Sequence, residues 1–392
     1  MDCGCCCYKV EMFLLAFLCV SQISTFSYSA ATATGGNDTL VNPTFVTVDD
    51  GAVCLTGQPA SYFFLKGFGN GTRNWLVFLN GGGWCKNITD CLQYIDYRKI
   101  GQDIPPAAFY NHLLLTKRDE NPEFFNWNKV SVTYCDGSSF TGNSDITIKN
   151  GTTYYFRGAR IFKAVMQELL AKGMGSAENV LLAGSSAGGV AATIYCDAFR
   201  GYFPSTSRVK CFSDSGYFFL PKHHTRGNKF LSIFEGLIEM HGSTPALPES
   251  CTSKFPPAMC FLPQNLQADI QTPIFFLMSA FDTVQINYTL SNEHAVCSKN
   301  PNCTSSQLIK DMQELRLEFL DVLREQRNNS QKGVLIYSPF SHALLFDYRW
   351  YSLAPGGTKE TYDELFRDWY FDRKRVNMID TYPCPYNCST SY

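Results

Sequence analysis

Five short apolar runs, set between segments of helical periodicity, restrict the fold of this chain more than any other feature. They are Trp75-Leu-Val-Phe-Leu79, Val130-Ser-Val-Thr-Tyr134, Val180-Leu-Leu-Ala183, Ile274-Phe-Phe-Leu-Met278 and Val334-Leu-Ile-Tyr337. Most are continuous rather than alternating, the pattern of strands buried on both faces of a parallel sheet. Ile161, Phe162, Val165, Met166, Leu169 and Leu170 share one face of a helix that Lys172-Gly173 closes. Leu308, Met312, Leu315, Phe319 and Leu323 make a second apolar stripe. Strand–helix alternation predicts an α/β fold, a doubly wound and mostly parallel sheet with helices on both faces.

No repeat, charge block or Pro/Ser-rich linker divides residues 40 to 392, so residues 31–392 are expected to form a single domain. The first 30 residues have the order of a secretory signal. Lys9 precedes the apolar run Met12 to Val20, and small residues follow at Ser27, Ser29, Ala30 and Ala31. That run is shorter than the roughly 20 residues a bilayer span needs, so no stable membrane span is expected after signal cleavage. Cys3, Cys5, Cys6 and Cys7 leave an acylated signal anchor as the alternative.

Twelve of the 17 cysteines lie beyond that segment, an even number that would mostly pair in an oxidising compartment. No pair of CxxC motifs and no His-x-x-x-His accompanies them, so no metal site is expected. Sequons at Asn37, Asn70, Asn87, Asn150, Asn287, Asn302, Asn328 and Asn387 point to the same compartment. The reading is a disulfide-stapled glycoprotein, secreted or in the lumen of the secretory pathway. A net charge of -2 argues against a nucleic-acid partner, because phosphate binding needs a concentrated basic surface.

Gly184-Ser185-Ser186-Ala187-Gly188-Gly189 fits G-x-S-x-G and follows the third apolar run, with a helix-compatible stretch from Val190 to Phe199 after it. A serine on such a strand-to-helix turn is exposed at the edge of an α/β-hydrolase-like sheet, and the next amide, on Ala187, faces the developing oxyanion. Ser186 is therefore the candidate nucleophile. In this fold the acid and the histidine follow the serine in chain order. Asp282 lies on the loop leaving Ile274–Met278, where a parallel sheet places its sites. Asp321 and Asp347 are the other acids considered, Asp321 sitting within an amphipathic stripe. His342 follows the fifth run in Ser338-Pro-Phe-Ser-His342, with His294 as its competitor. His112 precedes the serine, and His223, His224 and His241 precede the acid. Leu79-Asn80-Gly81-Gly82-Gly83-Trp84-Cys85 follows an early strand as the HGGG-type oxyanion loop does, so bare amides could approach a substrate there.

The same residues carry a likeness to a known family. Ala52-Val-Cys-Leu-Thr-Gly57, Asn80-Gly-Gly-Gly-Trp-Cys85, Tyr134-Cys-Asp-Gly137, Tyr155-Phe-Arg-Gly-Ala-Arg160, Ser185-Ser-Ala-Gly-Gly189, Ser213-Asp-Ser-Gly216, Asp368-Trp-Tyr-Phe-Asp-Arg373 and Pro383-Cys384 resemble the pectin acetylesterase family. That family also contains the animal deacylase Notum. The likeness runs from about Ala52 to Cys388. It implies carboxylic ester hydrolysis without a metal or organic cofactor. By resemblance the triad falls on Ser186, Asp282 and His342, and the oxyanion amides on Gly82, Gly83 and Ala187.

Three positions depart from relatives. Asn80 stands where plant members usually carry Glu, and Ser338-Pro-Phe-Ser341 replaces a Cys-containing stretch of the plant proteins. Gly83 stands where Notum carries Trp, which makes this chain look more like the polysaccharide deacetylases. The expectation is a secreted serine carboxylesterase that removes O-acetyl groups from a polysaccharide such as pectin through an acyl-enzyme. The alternatives are a Notum-like protein deacylase and a non-enzymatic, glycan-binding secreted glycoprotein.

Overall fold

The structure, a computed structural model, describes residues 40–47, 51–109, 111–223, 228–300, 303–324 and 331–383. The expected signal segment, Cys384 and Cys388 lie outside these residues. The strands are β1 (Pro43–Phe45), β2 (Ser61–Leu65), β3 (Asn74–Leu79), β4 (Asn128–Val132), β5 (Ser144–Thr147), β6 (Thr153–Phe156), β7 (Asn179–Ser185), β8 (Arg208–Asp214), β9 (Ile274–Ser279), β10 (Lys332–Tyr337) and β11 (Asn377–Ile379). Nine of them form one sheet in the order β1-β2-β4-β3-β7-β8-β9-β10-β11, and β5 and β6 pair separately as an antiparallel hairpin. From β4 to β11 every pairing in the main sheet is parallel, while β1 and β2 add an antiparallel edge.

The continuous apolar runs are continuous because both faces of the sheet are covered. Along β3, Trp75, Val77 and Leu79 enter one core, while Leu76 and Phe78 enter the other. In β9, Ile274, Phe276 and Met278 face the first core and Phe275 and Leu277 the second. A period of two with two apolar environments gives this pattern.

Nine helices matter for the site: α1 (Ile88–Arg98), α2 (Gly158–Ala171), α3 (Ala187–Ile194), α4 (Cys196–Arg200), α5 (Asn228–Glu239), α6 (Thr283–Thr289), α7 (Asn292–Ser298), α8 (Ser306–Leu323) and α9 (Tyr362–Tyr370). α2, α3, α5 and α8 pack on the first core, and α9 covers the second through Leu365, Phe366 and Trp369. The two stripes read from the sequence are α2 and α8. Gly173, with φ 104°, follows the C-cap of α2.

The sequence expectation differs from the structure in three places. The second run is shifted, with β4 ending at Val132, so Thr133 and Tyr134 already belong to the loop beyond it. The helical stretch after Ser186 breaks at Tyr195 into α3 and α4. β8 carries no clean apolar run because Arg208 and Lys210 interrupt it, yet it lies in mid-sheet. Lys210 is almost fully buried there. Its ammonium bonds to the Trp369 carbonyl at 2.9 Å and to Asp372 at 2.5 Å, which satisfies a charge that would otherwise be costly to bury.

Ten of the cysteines pair as Cys54–Cys135, Cys85–Cys91, Cys196–Cys211, Cys251–Cys260 and Cys297–Cys303. Cys85, Cys91 and His241 cluster closely enough to suggest a metal set, but both sulfurs are already in a disulfide and offer no thiolate. Among the described residues no helix is long and apolar enough to cross a membrane.

Candidate active site

The C-terminal ends of β3, β7, β8, β9 and β10 open on one edge of the sheet, where parallel strands place their sites. Ser186 sits on the turn between β7 and α3 with φ 57° and ψ -124°, a strained conformation for a residue with a Cβ. Such strain costs about 1–3 kcal/mol and persists only where the surroundings impose it. Here they do. The Ser186 N–H donates to the Asp214 carbonyl at 2.8 Å, which ties the bend to the end of β8. The side chain is half-buried rather than sealed in the core.

The bend needs glycine at its contacts. A Cβ on Gly188 would lie 2.0 Å from the Leu79 carbonyl oxygen, and one on Gly81 would lie 2.3 Å from the Ser185 carbonyl oxygen. The same Gly81 position is 3.2 Å from the Ala187 nitrogen, so the glycine loop after β3 runs directly against the serine turn. Arg98, at the end of α1, donates to the Gly81 carbonyl at 3.2 Å, and the Tyr134 hydroxyl donates to the Gly83 carbonyl at 2.8 Å. Among the described residues the amides of Gly82 and Gly83 donate to no protein acceptor. The Ala187 amide is in the first turn of α3, where helical N–H groups lack intrahelical partners.

Asp282 caps α6: its Oδ1 accepts the N–H groups of Val284 and Gln285, both at 3.0 Å. A cap of this kind is worth about 1 kcal/mol and fixes the carboxylate's direction. Its other oxygen, Oδ2, lies 2.7 Å from His342 Nδ1. The two loops run side by side through a parallel bridge between Asp282 and Ser341. Asp282 is buried, whereas the His342 side chain keeps 20% of its exposure. Burial alone would lower the His342 pKa. The Asp282 charge and hydrogen bond, with the Asp214 charge behind them, outweigh it and hold the imidazole above its ordinary value.

The remaining candidates go elsewhere. His294 bonds through Nε2 to Asp311 at 3.0 Å and through Nδ1 to Ser291 at 2.7 Å. Asp347 is engaged by Arg349 through its backbone and guanidinium, and Asp321 pairs with Arg324 on the surface. His112 stacks edge-on against Tyr351. His241 is buried with Nε2 2.7 Å from the Cys85 carbonyl oxygen, and burial pushes its pKa down to about 3. The His223 side chain is exposed, and His224 lies outside the described residues.

An aromatic wall joins the two loops. Trp84, next to Gly83, packs edge-on against Phe218 and Phe234 at 5.4 Å each, and Phe218 stands 6.3 Å from the His342 ring.

Residues 35–390 match the model of the pectinacetylesterase family. The chain belongs to that family. As a pectinacetylesterase-family protein it is a carboxylic ester hydrolase. It is 36% identical to pectin acetylesterase 5 of Arabidopsis thaliana over 88% of this chain and 83% of that protein. It is 38% identical to pectin acetylesterase 11 of the same plant, over 85% and 88% respectively. The Xenopus laevis palmitoleoyl-protein carboxylesterase notum1 is 30% identical over 78% of this chain and 62% of its own length.

One residue of this family member has a place at the site that its sequence context does not mark. Asp214 is fully buried at the site and bonded to both the serine turn and the histidine turn. The block Ser213-Asp-Ser-Gly216 was visible as part of the family likeness. Nothing local in it says that the Ser186 and His342 turns would meet there.

Proposed function

We propose that this protein is a secreted serine esterase that removes O-acetyl groups from a polysaccharide such as pectin, using Ser186, His342 and Asp282. The observation that carries the reading is the Asp282–His342 hydrogen bond, held on the sheet edge that bears the strained Ser186 turn. The long matches to plant pectin acetylesterases supply the substrate class. Gly83 favours a sugar substrate over a fatty acyl one. A Cβ there would meet nothing within 4 Å, so the glycine leaves open space, unfilled by the large side chain expected of a Notum-like protein, that a sugar could occupy.

The mechanism follows from the roles. His342 accepts the Ser186 hydroxyl proton as Oγ bonds to the ester carbonyl carbon. The amides of Gly82, Gly83 and Ala187 hold the oxyanion. As the bond from that carbon to the sugar oxygen breaks, the imidazolium gives its proton to the departing alcohol. A water then gives a proton to His342 while its oxygen bonds to the acetyl carbon. Ser186 Oγ leaves, takes the proton back, and acetate is released. Asp282 keeps the imidazole oriented and stabilises its charged form.

The reading places a signal peptide at residues 1–30 and one esterase domain at 31–392. Secretion is supported by the five disulfides and by the exposure of Asn70, Asn87, Asn150 and Asn287, the sequon asparagines among the described residues. The test is acetate release from a panel of acetylated glycans, with p-nitrophenyl esters of increasing chain length alongside. Acetate should turn over fastest. Faster hydrolysis of C8 or longer esters would favour a fatty-acyl deacylase instead, and no activity or fluorophosphonate labelling would favour a binding protein.

A further inference from the structure

Asp214 ends β8 in register with Ser185, the last residue of β7. Its carbonyl holds the Ser186 N–H, and its carboxylate accepts Ser185 Oγ at 2.9 Å and Ser215 Oγ at 3.3 Å. The same carboxylate accepts the N–H groups of Leu344 at 3.2 Å and Leu345 at 3.4 Å, in the turn just past His342. Ser215 Oγ completes that turn by accepting the Ala343 N–H at 2.8 Å. Ala343 has φ 66°, so the turn that leaves His342 is itself strained and needs these anchors.

We infer that Asp214 is a positioning residue, which clamps the His342 turn against the Ser186 turn and supplies a second anion to the imidazole. The role rests on the esterase reading above. Both carboxylate oxygens accept from hydroxyl or N–H donors, so a neutral amide, whose NH2 would face one pair of those donors, could not hold the two turns in the same way. Burial pushes Asp214 up to about 6, and the Ser185 hydrogen bond and the His342 charge both act against that rise. Every hydrogen-bond partner of its two oxygens is a donor, a set that favours the charged form.

The titratable groups that face this pair are few. Asp214 faces His342 and the Tyr337 phenol of β10, which burial, with the Asp214 and Asp282 charges, keeps protonated. His342 faces Asp282, Asp214 and Lys299, the last opposing the two anions. An anion near an imidazole raises its pKa, so its removal lowers it. The histidine must be neutral to act as a base, hence the acid limb of kcat/KM should follow.

The test compares Asp214→Asn with Ser215→Ala on p-nitrophenyl acetate across pH 4.5–9 (an assay window of about 4.5 units around the imidazole range). Asp214→Asn should lower kcat about tenfold, keep KM within about twofold, and move the acid limb to lower pH. Ser215→Ala loosens the same turn without changing charge. Its kcat should fall several-fold with the acid limb where the wild type has it. An unmoved acid limb in Asp214→Asn overturns the inference, whatever its kcat. If Asp214→Asn does not fold, Ser215→Ala decides, and an unchanged kcat there overturns the clamp. Wild-type protein inert toward every ester sinks the esterase reading itself, whereas active wild type with unaltered variants sinks only the role of Asp214.

Discussion

The serine side of the site is made of backbone, whereas the histidine side is made of side chains that meet across loops. Around Ser186, glycines at 81 and 188 let three stretches of main chain touch, and a Cβ at either would fall inside another residue's carbonyl. Around His342, a capped carboxylate and a buried aspartate hold an imidazole whose own turn is attached mainly through hydrogen bonds. The first construction tolerates almost no added atom. The second should tolerate changes of shape better than changes of charge, because charge sets the proton affinity on which the proposed base depends.

That contrast can be broken by variants on either side. Ser186→Ala removes the proposed nucleophile and should cut kcat by about 10⁶ while abolishing fluorophosphonate labelling, with little change in Tm. Asp282→Asn should cut kcat about 10⁴-fold by letting the imidazole take the wrong tautomer; a loss below tenfold would remove Asp282 from the triad. Gly188→Ala should destabilise the fold by about 2–3 kcal/mol, seen as a lowered Tm, since its Cβ would overlap the Leu79 carbonyl.

The pH profile sharpens the histidine side. Because Asp282 and Asp214 raise the His342 pKa, activity should fall as pH drops through a value above that of free imidazole. An acid limb well below it would mean another base. The smallest effect belongs to His294→Ala, which removes a ring already paired with Asp311 and Ser291 and should leave kcat/KM within about twofold of wild type.

Much of the candidate site is legible in the sequence because much of it is local. A serine between two glycines after an apolar run states its own conformation, and the triple glycine after β3 states that backbone approaches there. Asp282 and His342, the proposed acid and base, bear no local mark: each stands just past a buried strand, in the order expected of such a fold. β8 was missed for the opposite reason. Lys210 looks incompatible with a central strand until Trp369 and Asp372, some 160 residues later, close around its ammonium.

The amino-acid order by itself determined the strand–helix alternation, the bend at Ser186 and the even cysteine count, because periodicity, glycine sterics and redox chemistry act over a few residues or on composition. Only tertiary structure decided which histidine meets which acid, that His294 is occupied elsewhere, and that Asp214 lies under both turns. Those facts depend on strands far apart in the chain becoming neighbours in the sheet. Hydrogen bonds across 60 or 130 residues leave no periodic trace in a sequence.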